Sequence, residues 1–103
     1  MSHLEHLQHG VLEQLAPICR KWQIVELSLF GSAVRGALRE ESDIDLLAVF
    51  DDRADWSLWD LLDLRQELSE LFGREIDLVE KRSLENPFRR RSILRQARVI
   101  YAA

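Results

Sequence analysis

The chain has 103 residues, a formal net charge of −4 and an apolar content of 47%. This length suits one small domain, and we expect residues 1–103 to form a single one. The chain has one cysteine, Cys19, which excludes an intrachain disulfide. Its apolar runs are too short to span a bilayer and its start does not resemble a signal peptide, so we expect a soluble cytoplasmic protein.

Charge is unevenly distributed along the chain. Residues 1–80 contain seven basic and seventeen acidic side chains, whereas residues 81–103 contain seven basic side chains and one Glu. The negative total argues against a general nucleic-acid-binding protein, and we expect no direct nucleic-acid contact. The basic end is typical of a solvated helix face; an acidic partner surface and the phosphates of a substrate are the alternatives.

Apolar periodicity and turn residues predict alternating helices and strands. Pro17 is expected to kink the first helix or end it early, and Ser32 is a suitable N-cap for a short second helix. In chain order, we predict a helix over 4–21, a strand over 24–30, a helix over 32–38, a strand over 43–50, a helix over 57–72, a strand over 75–79, a helix over 88–96 and a final strand over 98–101. This order predicts an α/β (α+β) fold, in which a small mixed sheet of three to four strands has its helices packed on one side.

Two carboxylates lie at the mouth of the predicted strand 43–50. Asp43 and Asp45 are two residues apart, so on a strand their side chains project from the same face. Such close negative charges repel each other unless a cation lies between them. Hard oxygen ligands without an accompanying His favour Mg²⁺ or Mn²⁺ over zinc. The alternative is an Asp-x-Asp pair that simply begins a strand.

A third carboxylate strengthens the metal hypothesis. Asp77 lies in a short strand between apolar neighbours, where burial of an unpaired charge is costly. If the strand over 75–79 lies beside the strand over 43–50, Asp77 completes a three-carboxylate site. Such a site suits two metal ions and in-line phosphoryl or nucleotidyl transfer. The alternative is an edge strand on which Asp77 faces water.

The turn before the acidic pair has features of a phosphate-binding loop. Gly31 permits close backbone approach, and a helix that begins at Ser32 would offer free N–H groups and a hydroxyl to a phosphate. The turn is not a P-loop, because no Gly-Lys-Ser/Thr sequence follows it. An ordinary cap between a strand and a helix is the alternative interpretation.

Together, these segments resemble the nucleotidyltransferase superfamily that includes DNA polymerase beta, and more closely its minimal nucleotidyltransferases, the MNT proteins. The motifs that carry the resemblance are Leu29-Phe30-Gly31-Ser32-Ala33-Val34-Arg35-Gly36, Ser42-Asp43-Ile44-Asp45-Leu46 and Ile76-Asp77-Leu78-Val79. The resemblance covers nearly the whole chain, and the combination of motifs is specific although each one alone is not. It implies the nucleotidyltransferase fold.

The resemblance also implies a role for each of the five site residues. Gly31 and Ser32 would hold the triphosphate of ATP. Asp43 and Asp45 would bind two Mg²⁺ ions, and Asp77 would bind one of these ions and help to deprotonate the acceptor hydroxyl. These five residues are therefore the candidate catalytic, nucleotide-binding and metal-binding set.

A protein partner is a further implication of the resemblance. Many MNT proteins are encoded beside a small helical HEPN protein and act as its antitoxin, transferring AMP to a tyrosine of this RNase in a type VII-like system. Because only residues 78–103 follow Asp77, we expect another chain to supply the acceptor surface in a hetero-oligomer, with a homodimer as the state of the chain alone. Two alternatives stay open: a non-enzymatic antitoxin that neutralises the toxin by binding, and a small-molecule nucleotidyltransferase with a separate acceptor-binding subunit.

Overall fold

A computed structural model describes residues 9–31 and 43–103, which form a four-stranded mixed sheet with helices on both of its faces. In chain order, the elements are α1 (His9–Lys21), β1 (Ile24–Phe30), β2 (Ile44–Phe50), α2 (Leu58–Phe72), β3 (Ile76–Glu80), a 3₁₀ helix (Lys81–Ser83), α3 (Pro87–Gln96) and β4 (Arg98–Ala102). The four predicted strands and the last two predicted helices are confirmed to within about a residue at each end. The predicted helix over 32–38 and the start of the first helix lie outside the described residues.

The ends of α1 and α2 follow from local hydrogen bonding. Helix α1 contains Pro17 and nevertheless continues to Lys21, so the helix does not end early. At the start of α2, the Ser57 hydroxyl accepts from the Asp60 N–H, and the Asp60 carboxylate accepts from the Ser57 N–H at 2.9 Å. This capping box satisfies two N–H groups that a helix otherwise leaves unpaired. Gly73 ends α2 in the left-handed conformation, with φ +70°.

The strands are ordered β3-β2-β1-β4, so β3 and β4 are the edges of the sheet. Strand β1 is antiparallel to both β2 and β4, whereas β2 and β3 are parallel. A parallel pair needs a crossover connection, which the chain makes through α2. As a consequence, β2 and β3 begin at the same end of the sheet, and β1 ends there.

Alternate side chains of β2 are buried against different helices. Leu46 and Ala48 belong to the main core with α1 and α2, whereas Leu47 packs in a second cluster with Ile93 of α3. Because side chains alternate across a strand, α3 covers the face opposite to α1 and α2. The expectation that all helices pack on one side is therefore wrong for α3. The reason is that β2 is apolar on both faces, and its second face also needs cover.

The main core also fixes the environment of Cys19 and of two tryptophans. Cys19 is fully buried, as expected of a small apolar side chain, and burial raises the pKa of its thiol to about 12. The rings of Trp22 and Trp56 pack edge to face, with centroids 5.0 Å apart. The Trp22 indole N–H donates to the Glu67 carboxylate at 2.8 Å, and the Lys21 ammonium donates to the same carboxylate. Across 9–31 and 43–103, no helix is long and apolar enough to cross a membrane.

Candidate active site

The candidate site lies at the end of the sheet where β1 stops and β2 and β3 begin. Phe30, the last residue of β1, is paired with Asp45 of β2. Gly31 follows at once in a turn, with φ +70°. The antiparallel pairing of β1 and β2 thus brings Gly31 and Asp45 together, although they are not close in sequence.

Asp45 and Asp77 are direct partners in the parallel pairing of β2 and β3. Residues paired in this way lie side by side on the same face, and neighbouring strands are about 4.8 Å apart. Asp45 is half-buried and Asp77 is exposed. The condition set by the sequence, that the strand of Asp77 lie beside the strand of Asp45, is therefore met.

Gly31 leaves no room for a side chain beside Asp45. A Cβ atom added at Gly31 would lie 2.2 Å from Asp45 Oδ2 and 3.2 Å from its Cγ, well inside van der Waals contact. The Gly31 φ of +70° is also a conformation that residues with a Cβ rarely adopt. Glycine is thus required twice over, by the backbone conformation and by the approach of the carboxylate.

Asp43 precedes β2 by one residue and is exposed to solvent. The next residue is held to β3, since the Ile44 N–H donates to the Glu75 carbonyl at 2.9 Å. Asp43 is therefore tied to the start of the parallel pair. Ser32, the remaining candidate, lies outside the described residues.

The described carboxylates form a pair rather than a preassembled cage. In the two described ranges, no three His, Cys, Asp or Glu side chains are grouped so that they could hold a metal ion by themselves. Mg²⁺ is commonly held by one or two protein carboxylates together with substrate phosphates and water, so the donor set fits a hard cation that arrives with a nucleotide. The three-carboxylate site stays a prediction.

The expectation that Asp77 is buried between its apolar neighbours is wrong. Strand β3 is an edge of the sheet, and Asp77 is exposed, so its carboxylate stays in contact with water. Isoleucine and leucine on either side of it contact the core on the opposite face. The position of Asp77 is informative because of its partner in the register, Asp45, and not because of desolvation.

Sequence patterns did not associate α3 with this end of the sheet. Asp45 and Leu47 lie on the same face of β2, and Ile93 of α3 packs in a cluster with Leu47 and Phe30. Helix α3 therefore lies beside the carboxylate pair. The signal that was available is weak, because a helix with four arginines carries few apolar residues from which a buried face could be predicted.

A second concave region lies at the other end of the sheet and shares no residue with this site. It is a cleft of about 530 Å³ whose lining includes Arg20, Asp51, Arg53 and Tyr101. Asp51 accepts from the Arg53 guanidinium at 3.1 Å, and this hydrogen bond lowers the pKa of the Asp51 carboxyl. The pair closes the loop after β2 and has no counterpart among the predicted site residues.

Comparison with protein-family models matches residues 12–100 to the nucleotidyltransferase domain. The protein adenylyltransferase MntA of Thermococcus cleftensis is 33% identical over 86 residues, which cover 84% of this chain and 85% of the relative. The range that the family model matches, 12–100, includes β1, β2 and β3, and with them the glycine turn and all three candidate carboxylates. The likeness therefore extends over the whole site.

Comparison of folds gives the same result. A solved structure described provisionally as a minimal nucleotidyltransferase superposes with a TM-score of 0.75 at 36% identity, over 95% of both chains. A complex of a Shewanella oneidensis MNT antitoxin with its tri-AMPylated HEPN toxin contains a chain that superposes with a TM-score of 0.67 at 19% identity, over 94% of this chain and 74% of that one. At this lower identity the second match shows the fold alone.

Proposed function

This chain belongs to the nucleotidyltransferase domain family, and we propose that it is a protein adenylyltransferase of the MNT type. In this proposal it transfers AMP from ATP to a tyrosine of a partner HEPN toxin in the cytoplasm and so acts as the antitoxin. The relative named MntA is a protein adenylyltransferase, and a structural neighbour is a complex with an AMPylated HEPN toxin. These names support the reaction and the class of partner.

One observation supports this function above the others: Asp45 and Asp77 are paired across two parallel strands, with Gly31 against the Asp45 carboxylate. The pair offers anionic oxygens on one face. The glycine carries no side chain of its own, so an anion whose charge is balanced by the cation can approach the backbone there. A nucleoside triphosphate held with its cation needs both features in one place.

The residues assigned to the metal are Asp43, Asp45 and Asp77, and the metal that suits them is Mg²⁺. Their oxygen-only donor set matches the preference of a hard cation. Two Mg²⁺ ions, when bound, would neutralise the triphosphate and lower the pKa of the acceptor hydroxyl. Asp45 lies against the glycine turn, and together with Asp43 it is assigned to the nucleotide side.

The protein residues have separate tasks in the reaction. Gly31 and Ser32 hold the triphosphate so that the α-phosphorus faces the acceptor. The tyrosine oxygen forms a new bond to this phosphorus, the bond to the bridging oxygen breaks, and pyrophosphate leaves with its electron pair. Asp77, exposed at the sheet edge, takes the tyrosine proton as general base. Exposure suits this task because a second protein must reach the site.

The experiment that tests this function compares ATP labelled at the α-phosphate with ATP labelled at the γ-phosphate. The protein is incubated with Mg²⁺ and with the HEPN protein encoded by the neighbouring gene. We expect the α-label alone to enter the partner, and we expect no incorporation when EDTA removes Mg²⁺ before the reaction starts. Label from the γ-phosphate on the partner would mean phosphoryl transfer, and α-label on a small molecule alone would mean a different acceptor.

A further inference from the structure

Helix α3 is scarcely covered by the rest of the chain, although it lies beside the carboxylate pair. Of its ten residues in the described structure, Ile93 alone is buried. Phe88, at the first turn, is 85% exposed, and Leu94 on the next turns is 39% exposed. Two exposed apolar side chains on one short helix leave apolar surface that a partner can cover.

The charge of this helix is also unbalanced. It carries Arg89, Arg90, Arg91 and Arg95 and no acidic residue. The ion pairs found within the described ranges involve other cations, namely Lys21, Arg53 and Arg82. Arg91 and Arg95 are one turn apart and therefore neighbours on the helix surface. Like charges at this spacing repel each other, so α3 itself gains nothing from the arrangement.

Two shallow clefts of about 390 Å³ each lie along the exposed side of α3, and Arg91 and Arg95 line both. Phe88 lines the first cleft and Leu94 lines the second. We call the four residues Phe88, Arg91, Leu94 and Arg95 the α3 surface. It combines an aromatic ring, an aliphatic side chain and two guanidinium groups within about two turns of helix.

We infer that the α3 surface docks an acidic segment of the protein that receives AMP. This inference rests on the proposed adenylyl transfer and adds where the acceptor binds and which chemistry holds it. Arginine and aromatic residues are enriched at protein interfaces, and a cationic patch steers an acidic partner toward it. Because α3 lies on the face of β2 that carries Asp45, a partner docked there is already beside the reacting groups.

An acidic protein segment is favoured over nucleic acid and nucleotide, the two other anionic ligands that arginines commonly bind. A net charge of −4 disfavours a nucleic-acid strand, which needs an extended cationic track. A triphosphate would leave Phe88 and Leu94 without any apolar contact, whereas a protein segment can cover both. Nucleic acid and nucleotide are nevertheless separable outcomes of the experiment.

The test measures binding of the HEPN protein in the absence of ATP, so that it does not depend on catalysis. The variant is Arg91→Glu/Arg95→Glu. The matched control is Arg20→Glu/Arg65→Glu, which reverses two exposed arginines of α1 and α2 on the opposite face. We expect at least about tenfold weaker partner binding and a shallower dependence on salt for the α3 variant, with the control unchanged.

A second measurement identifies the contacting groups. Arg91→Lys keeps the charge and supplies an amine that a carbodiimide joins directly to a carboxylate in contact with it. We expect a cross-link from position 91 to an Asp or Glu of the partner, and no partner cross-link from position 65 in an Arg65→Lys protein. A cross-link that never forms at position 91 would overturn the inference even if the charge reversal weakened binding.

The remaining outcomes also decide. Unchanged partner affinity in Arg91→Glu/Arg95→Glu, or a wild-type protein that does not bind the partner at all, overturns the inference. Loss of binding to a non-hydrolysable ATP analogue or to poly(U), with the partner still bound, assigns the arginines to those ligands instead. If the partner binds through α3 but never receives AMP, the proposed function fails while the docking surface stands.

Discussion

The Asp45 carboxylate fills the space that a side chain at Gly31 would need: a Cβ atom on Gly31 would lie 2.2 Å from Asp45 Oδ2. The contact joins the end of β1 to the start of β2, and it holds the glycine turn against the carboxylate that is paired with Asp77. The site is therefore built from strand register and one missing side chain. A substitution at Gly31 should therefore affect AMP transfer more than a similar substitution far from the site.

Gly31→Ala should inactivate the protein without unfolding it, and Gly73→Ala is its matched control. Both glycines have φ +70°, so both variants should lose about 1 kcal/mol of folding free energy from left-handed alanine. Only at Gly31 does the new methyl group displace Asp45; at Gly73 it meets nothing within 4 Å. We expect AMP transfer to fall about 100-fold in Gly31→Ala alone. Equal activity in the two proteins would show that the Asp45 contact is irrelevant.

Asp77→Asn should lower AMP transfer by about 100-fold or more, the usual contribution of a general base. Its stability should match that of wild type, because the side chain is exposed. Glu80→Gln is the control, since Glu80 is on the same strand and projects from the opposite face. The measurement is the initial rate of transfer alongside the midpoint of urea unfolding. Similar rates for both variants would remove Asp77 from the reaction.

Glu67→Gln should destabilise the fold by about 1 kcal/mol near neutral pH. Hydrogen bonds from Lys21 and Trp22 lower the pKa of the Glu67 carboxyl below its ordinary value of 4.5. Its contribution is therefore complete above pH 4.5 and is lost as the pH falls through the lowered, folded-state pKa. Urea unfolding at pH 7 and at an acidic pH should show the larger difference from wild type at pH 7, because the difference shrinks as the pH falls below 4.5. Exposed Glu70→Gln, on the same helix, should show no difference at either pH.

Cys19 should resist alkylation in the folded protein. Its side chain is fully buried, and burial raises the pKa of the thiol to about 12, so almost no thiolate is present at pH 8. Mass spectrometry after iodoacetamide treatment should find the thiol unmodified without denaturant and modified in urea. Rapid modification of the native protein would place Cys19 outside the core.

Much of this site could be predicted from the sequence because strand signals are local. The alternation in β1 and the apolar run in β2 locate both strands, and the turn at Gly31 fixes where β1 ends. The pairing of Asp45 with Asp77 depends on which strands are neighbours in the sheet. A sequence pattern does not give that, so the pairing could be predicted only on the assumption that their two strands lie side by side. Strand order, which decides that condition and also exposes Asp77 at an edge, depends on the packing of α2 as the crossover between β2 and β3.

The buried face of helix α3 could not be predicted from the sequence. Its composition predicts a basic helix, and a basic helix is normally a solvated surface with no preferred face. One side chain, Ile93, fixes it against Phe30 and Leu47. A single buried apolar residue gives no periodicity from which a buried face could be inferred. The second apolar face of β2, visible in the run Leu46-Leu47-Ala48, was the available indication that some helix must cover it.

The intact mass of the HEPN protein shows whether this protein transfers AMP to it. The HEPN protein is incubated with ATP, Mg²⁺ and either wild-type protein or Asp45→Asn. We predict that wild-type protein adds one or more AMP groups to the partner, which fragmentation maps to tyrosine, and that Asp45→Asn adds none. The toxicity of the partner should fall with wild-type protein and not with Asp45→Asn. A partner of unchanged mass that both proteins neutralise equally would contradict the account and establish neutralisation by binding alone.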